Sequence, residues 1–148
     1  MIHVYENFLS EDYCKQLIDF YHENSRKSYK YRDTFPLTLP KIEKITDQLI
    51  SLCSECGEKS KSDLCQIVRW PVGSKQDPHH DFYIDTFASV IYLNDDYEGG
   101  KTCFEDREIV PKTGTMIFFT GSKDLHWVEK VKKSERYTLS HWFIPLQS

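Results

Sequence analysis

The sequence predicts an α+β domain in which two helices near the N-terminus precede a β sandwich or barrel. Apolar residues recur at helical spacing in two early stretches, one from about residue 11 to 24 and one opened by Pro40. Beyond Asp63 the chain breaks instead into short segments rich in β-branched and aromatic residues, each closed by a turn. The 148 residues are 39% hydrophobic and 14% aromatic, enough for one core in one domain.

Taken in order, residues 2–9 (IHVYENFL) read as a short strand running into a turn. Ser10 then stands at an N-cap position, with Glu11 and Asp12 in the first turn where acids oppose the helix dipole. Tyr13, Leu17, Ile18, Phe20 and Tyr21 form the apolar face of this first helix. Residues 25–40 are polar and carry prolines, and read as a loop with some extended chain. In the second helix Ile42, Ile45, Leu49, Ile50, Leu52 and Cys53 share a face, and Gly57 lies just past the end. The strand candidates are LCQIVRW, FASVIYL, KTCFEDREIV, TGTMIFF, LHWVEKV and RYTLSHWF. Turns such as PVG, NDDYEGG, PKTG and TGS separate them.

Charge and cysteine usage narrow the setting. With 19 basic and 23 acidic residues the net charge is −4, which disfavours nucleic acid and anionic membrane surfaces as partners. No basic n-region with an apolar h-region opens the chain, and no apolar run reaches the ~18 residues of a membrane span. Five irregularly spaced cysteines read as free thiols, so a cytoplasmic location is expected. Cys53 and Cys56 form one Cys-x-x-Cys without a second pair, and read as core or incidental rather than as a zinc site.

The chemistry concentrates in QDPHHDFYID, residues 76–85. In an extended chain His79 and Asp81 project to one side and His80 to the other. His79 and Asp81 can therefore share a metal, and a third ligand must come from downstream, where His126 and His141 are available. Two histidines and one carboxylate make the facial triad of non-haem Fe(II) oxygenases, although zinc hydrolases use a similar set. The basic residue downstream selects between the histidines. Arg136 lies ten positions after His126 and shares a strand face with Thr138, so a guanidinium and a hydroxyl can meet one carboxylate. No basic residue follows His141. His126 is the favoured ligand, and His141 reads as packed beside Trp142.

These residues together resemble the 2-oxoglutarate/Fe(II)-dependent dioxygenases, in their prolyl 4-hydroxylase-like branch. VYENFLSEDYCKQLIDF is similar to the opening strand and helix of that family, and IVRWPVGSKQDPHHDF to the segment with its His-x-Asp pair. VIYLNDDYEGGKTCF, IVPKTGTMIFF and LHWVEKVKKSERYTLSHWF resemble its next blocks in order. The resemblance runs almost end to end and implies one domain over residues 1–148. It implies a double-stranded β-helix, or jelly roll, braced by N-terminal helices. It further implies Fe(II) bound by His79, Asp81 and His126. The cosubstrate would be 2-oxoglutarate, its distal carboxylate held by Arg136 with Thr138 and Tyr92. O2 would be the oxidant and ascorbate a stimulating reductant. The expected reaction is hydroxylation of a C–H bond in a peptidyl proline or other residue, with release of succinate and CO2. A free amino acid, another small molecule or a nucleobase is the alternative substrate. A non-catalytic metal-binding jelly-roll module is the alternative of another class. Trp70, Gln76 and Ser134 depart from the tyrosine, tyrosine and glycine common in the family. Trp70 and Trp127 are candidates for lining a cleft, and the basic, tyrosine-bearing stretch 25–33 for a loop over the substrate.

Overall fold

The computed structural model describes residues 1–40, 42–82, 84 and 86–146. Strand β1 (Ile2–Tyr5) leads into helix α1 (Glu11–Glu23). The Ser10 side chain accepts a hydrogen bond from the Tyr13 N–H at 3.1 Å, which satisfies a donor that the first turn leaves free. Cys14, Leu17 and Tyr21 form the buried stripe of α1. A single 3-10 turn (Ser25–Lys27) follows, and then β2 (Phe35–Thr38), so the stretch expected to be mainly loop ends in a paired strand. Its Pro36 and Leu37 are buried, and an edge strand tolerates the proline. Helix α2 spans Glu43–Glu55 rather than beginning at Pro40, because Ile42 is still extended at φ −92°, ψ 92°. Gly57, at φ +100°, provides the left-handed residue that ends it.

The remaining chain is sheet: β3 (Ser60–Trp70), β4 (Gln76–His79), β5 (Phe87–Tyr92), β6 (Glu98–Gly99), β7 (Thr102–Phe104), β8 (Arg107–Ile109), β9 (Met116–Phe119), β10 (His126–Val128), β11 (Val131–Lys132) and β12 (Arg136–Pro145). All pairings are antiparallel. A six-stranded sheet runs β1-β9-β5-β12-β3-β2, a four-stranded sheet runs β4-β10-β7-β8, and β6 pairs with β11. The two larger sheets form the jelly-roll core, and the helices brace one of them, as the sequence predicts.

Strand β12 shows how the layers are divided. Tyr137, Leu139 and Phe143 pack with α1 and α2 residues such as Leu17 and Leu49 in the larger core. Arg136, Thr138, Ser140 and Trp142 alternate with them and face the space between the sheets. Strand β3 divides likewise, with Cys65 and Ile67 toward the helices and Gln66, Val68 and Trp70 toward the interior. The period of two thus converts one polar-looking strand into half of a core and one wall of a cavity. No helix among the described residues is long and apolar enough to cross a membrane.

Candidate metal and cosubstrate site

Three side chains that could hold a metal meet because two backbone devices bring them together. His126 on β10 lies directly across from His79 on β4, and the two rings are 4.2 Å apart. Strand β4 ends at His79, so Asp81 is not placed by strand pairing, as simple extension would have it. Its N–H instead donates to the Gly121 carbonyl at 2.8 Å, which folds the carboxylate back against the histidines. Asp81 Oδ1 lies 3.1 Å from His126 Nε2 and 3.7 Å from His79 Nε2, and one ligand atom from each of the three residues falls within 4.8 Å of the others. His80 is exposed on the rim, away from the cluster. His141 is fully buried among the helix-facing residues of β12 and lies outside the cavity lining. Tyr83 and Asp85 fall outside the described residues.

The donor set fits a divalent cation. His79 Nδ1 is 2.8 Å from the Asp77 carbonyl and His126 Nδ1 is 2.7 Å from the Asp124 carbonyl. Each contact requires the proton on Nδ1, which leaves both Nε2 lone pairs facing Asp81. Burial, the largest influence on His79, lowers its pKa and favours the neutral ligand form. Asp81 Oδ2 is buried without a hydrogen-bond partner among the described residues, an arrangement that is costly for a carboxylate unless a cation compensates it. Gly121 makes the close approach possible. A Cβ there would lie 2.1 Å from Asp81 Oδ2.

The triad lines a cavity of about 130 Å³. Thr102, Arg136, Thr138 and Ser140 line the same cavity. Arg136 is 1% exposed. Its Nε donates to the Gly100 carbonyl and its Nη2 to Thr102 Oγ1, both at 3.0 Å. The guanidinium lies 4.6 Å from the Trp70 ring and 5.4 Å from that of Tyr92. Among the described residues no carboxylate pairs with it within 4.0 Å, so a fully buried cation faces the cavity without a counter-ion. Tyr92 stands one layer behind. Its hydroxyl accepts from the Thr102 N–H at 3.0 Å, shares a 2.7 Å hydrogen bond with Thr102 Oγ1, and reaches the Ile109 carbonyl at 2.9 Å. The residue expected to touch the cosubstrate thus braces Thr102, while Thr102 and Ser140 lie on the wall itself. Continuing the alternation of Arg136 and Thr138 by one step reaches Ser140. Nothing in the linear sequence marks Gly121.

Of the two tryptophans expected at a cleft, Trp70 lines the cavity and Trp127 does not. Outside the triad a wider groove of about 660 Å³ opens, walled by Tyr29, Tyr31, Arg32, Phe82 and Trp142. The 25–33 stretch contributes Tyr29, Tyr31, Arg32 and Asp33 to this wall, beside His79 and Asp81.

The architecture and the ligand set belong to a known class. The chain belongs to the 2OG-Fe(II) oxygenase superfamily, whose family model matches residues 65–144. Among curated proteins, it is 35% identical to human Prolyl 3-hydroxylase 2 over 65 residues, covering 38% of this chain and 9% of that protein. It is 42% identical over 62 residues to "2-oxoglutarate and iron-dependent oxygenase domain-containing protein 3" of Xenopus tropicalis, covering 36% of this chain and 20% of the relative. To Probable prolyl 4-hydroxylase 10 of Arabidopsis thaliana it is 28% identical over 131 residues, covering 68% and 44%. The chain thus spans only 9% to 44% of the length of these relatives. The fold is that of the viral collagen prolyl hydroxylase from Paramecium Bursaria Chlorella virus-1, solved as a 2OG complex. The TM-score is 0.83 at 22% identity, covering 99% of this chain and 96% of that one. A Pseudomonas putida prolyl-4-hydroxylase matches with a TM-score of 0.76 at 17% identity, covering 99% and 93%.

Proposed function

We propose that this chain is an Fe(II)- and 2-oxoglutarate-dependent dioxygenase that hydroxylates a C–H bond of a peptidyl residue, with proline the first candidate, releasing succinate and CO2. One observation carries the reading. The buried, uncompensated Arg136 guanidinium lines the same small cavity as the His79, Asp81 and His126 cluster. A buried cation costs several kcal/mol unless an anion arrives. A dicarboxylate that reaches from the metal cluster to the guanidinium satisfies both ends. His79, Asp81 and His126 would hold the iron. Arg136, supported by Thr102 and with Thr138 beside it, would fix the distal carboxylate. When bound, iron supplies the redox chemistry that joins decarboxylation of 2-oxoglutarate to hydroxylation by O2. The protein positions the reactants and excludes water, with Phe104 and Phe119 packed around His126.

The wide groove beside the triad favours a chain-like substrate over a free amino acid, and its tyrosine rim suits a proline-containing peptide. The relatives and solved structures named as prolyl hydroxylases support the same substrate class. A cytoplasmic setting belongs to the proposal, since five unpaired cysteines suit a reducing compartment. The test is succinate formation from 2-oxoglutarate with Fe(II), O2 and ascorbate, with and without proline-rich peptides. Peptide-stimulated succinate is expected, and Asp81→Ala should abolish it. Equal succinate formation by Asp81→Ala would refute the assignment.

A further inference from the structure

We infer that Trp70 is a further cosubstrate-binding residue, its indole N–H donating to the distal carboxylate held by Arg136; the inference rests on the functional reading above. Trp70 is the last residue of β3 and the direct cross-strand neighbour of Arg136 on β12. It lines the cavity, is only 7% exposed, and lies under the guanidinium at 4.6 Å. Its Nε1 is buried and donates to no group among the described residues. Tryptophan N–H groups normally find an acceptor when buried, because an unmet donor carries its full desolvation cost.

Apolar side chains make up most of the packing around Trp70, and the Tyr97 hydroxyl beside them is likewise buried with no partner among the described residues. Val68, Val128 and Val131 pack with Trp70, and Tyr97 lies against the same cluster. If Trp70 served only as a shelf for Arg136, the six-carbon ring of a phenylalanine would meet the need and the N–H would be a liability. The acceptor that the N–H lacks and the anion that Arg136 lacks are supplied together by one carboxylate seated between them. Two donors of different type on one carboxylate also fix its plane, so the same contact would favour 2-oxoglutarate over 2-oxo acids that end in a methyl group.

The test is calorimetric binding of 2-oxoglutarate to the Mn(II)-loaded full chain under argon, with 2-oxovalerate as the probe of equal length lacking the distal carboxylate. Three proteins are compared: the parent, Trp70→Phe, and the chain with β-(3-benzothienyl)alanine at position 70. That side chain keeps the shape and ring face of tryptophan but replaces the N–H with sulfur. Loss of one donor to a charged acceptor should weaken 2-oxoglutarate about tenfold or more in both altered proteins and leave 2-oxovalerate unchanged. If Trp70→Phe does not fold, the benzothienyl protein alone decides. Parent-like affinity in the benzothienyl protein would overturn the inference and leave Trp70 as packing under Arg136. An equal loss for both ligands would overturn it as well. A parent that binds no 2-oxoglutarate would overturn the functional reading along with it.

Discussion

Gly121→Ala offers a sharp test of how the metal cluster is built. A Cβ on Gly121 would lie 2.1 Å from Asp81 Oδ2, 2.9 Å from its Cγ and 3.2 Å from its Cβ. Ordinary van der Waals contact begins near 3.4 Å, so the carboxylate has to retreat by about 1.3 Å. It cannot do so while its own N–H stays bonded to the Gly121 carbonyl at 2.8 Å and its Oδ1 stays 3.1 Å from His126 Nε2. Metal–ligand distances tolerate deviations of only ~0.2 Å. Disturbing a group that merely orients a ligand costs ~10–100-fold in affinity. Displacing the ligand itself should therefore weaken Mn(II) or Co(II) at least about 100-fold. The backbone at 121 is not left-handed, so alanine is conformationally acceptable and, by stiffening the unfolded chain, offsets part of any packing loss. The expected result is a near-parental thermal midpoint with weakened metal binding, read by calorimetry and by the Co(II) absorption spectrum. Parental metal affinity in Gly121→Ala would refute the claim that this contact sets the position of Asp81.

Other perturbations separate binding from stability. Arg136→Met removes a buried cation that has no counter-ion among the described residues. It should lower 2-oxoglutarate affinity at least about 100-fold, since two or more charge-assisted hydrogen bonds are lost, while the melting temperature stays level or rises. His141 should make the fold acid-sensitive. Burial lowers its pKa from 6.5 to about 4, so the unfolded chain takes up a proton that the folded chain refuses. The stability is fully present above pH 6.5 and falls as pH drops from 6.5 toward 4, by on the order of 3 kcal/mol in urea unfolding. His141→Phe should flatten that dependence. Burial also pushes Cys14 and Cys103 up to about 11, and Cys53 and Cys65 up to about 12. A thiol reagent at pH 8 should therefore label only Cys56 rapidly in the native state, and fast labelling of a second thiol would contradict the packing.

Much of this architecture is legible in linear order because it depends on local periods. The stripe Cys14, Leu17 and Tyr21 identifies α1, and Ser10 locates its start. The alternation of Arg136 and Thr138 predicts which side of β12 is polar, and His79 is distinguished from His80 by the same period. Other features are not local. Strand β2 was hidden because its hydrogen bonds go to β3, some thirty residues away, and its Pro36 argues against a strand when read alone. Tyr92 reads as a cosubstrate contact in sequence, and only the fold shows that its hydroxyl is tied to Thr102 on β7, ten residues away.

By itself, the sequence determined the α+β class, the types and order of the candidate ligand residues, and the placing of Arg136 on a strand face with Thr138, since these follow from side-chain chemistry and periods of two and 3.6. Only the tertiary structure decided that His79 and His126 are cross-strand neighbours, that Asp81 is held by the Gly121 carbonyl, and that Arg136 is buried over the Trp70 ring with no counter-ion among the described residues. Those facts depend on register between strands far apart in the chain and on the space a missing Cβ leaves, and neither is encoded by the neighbours of any one residue.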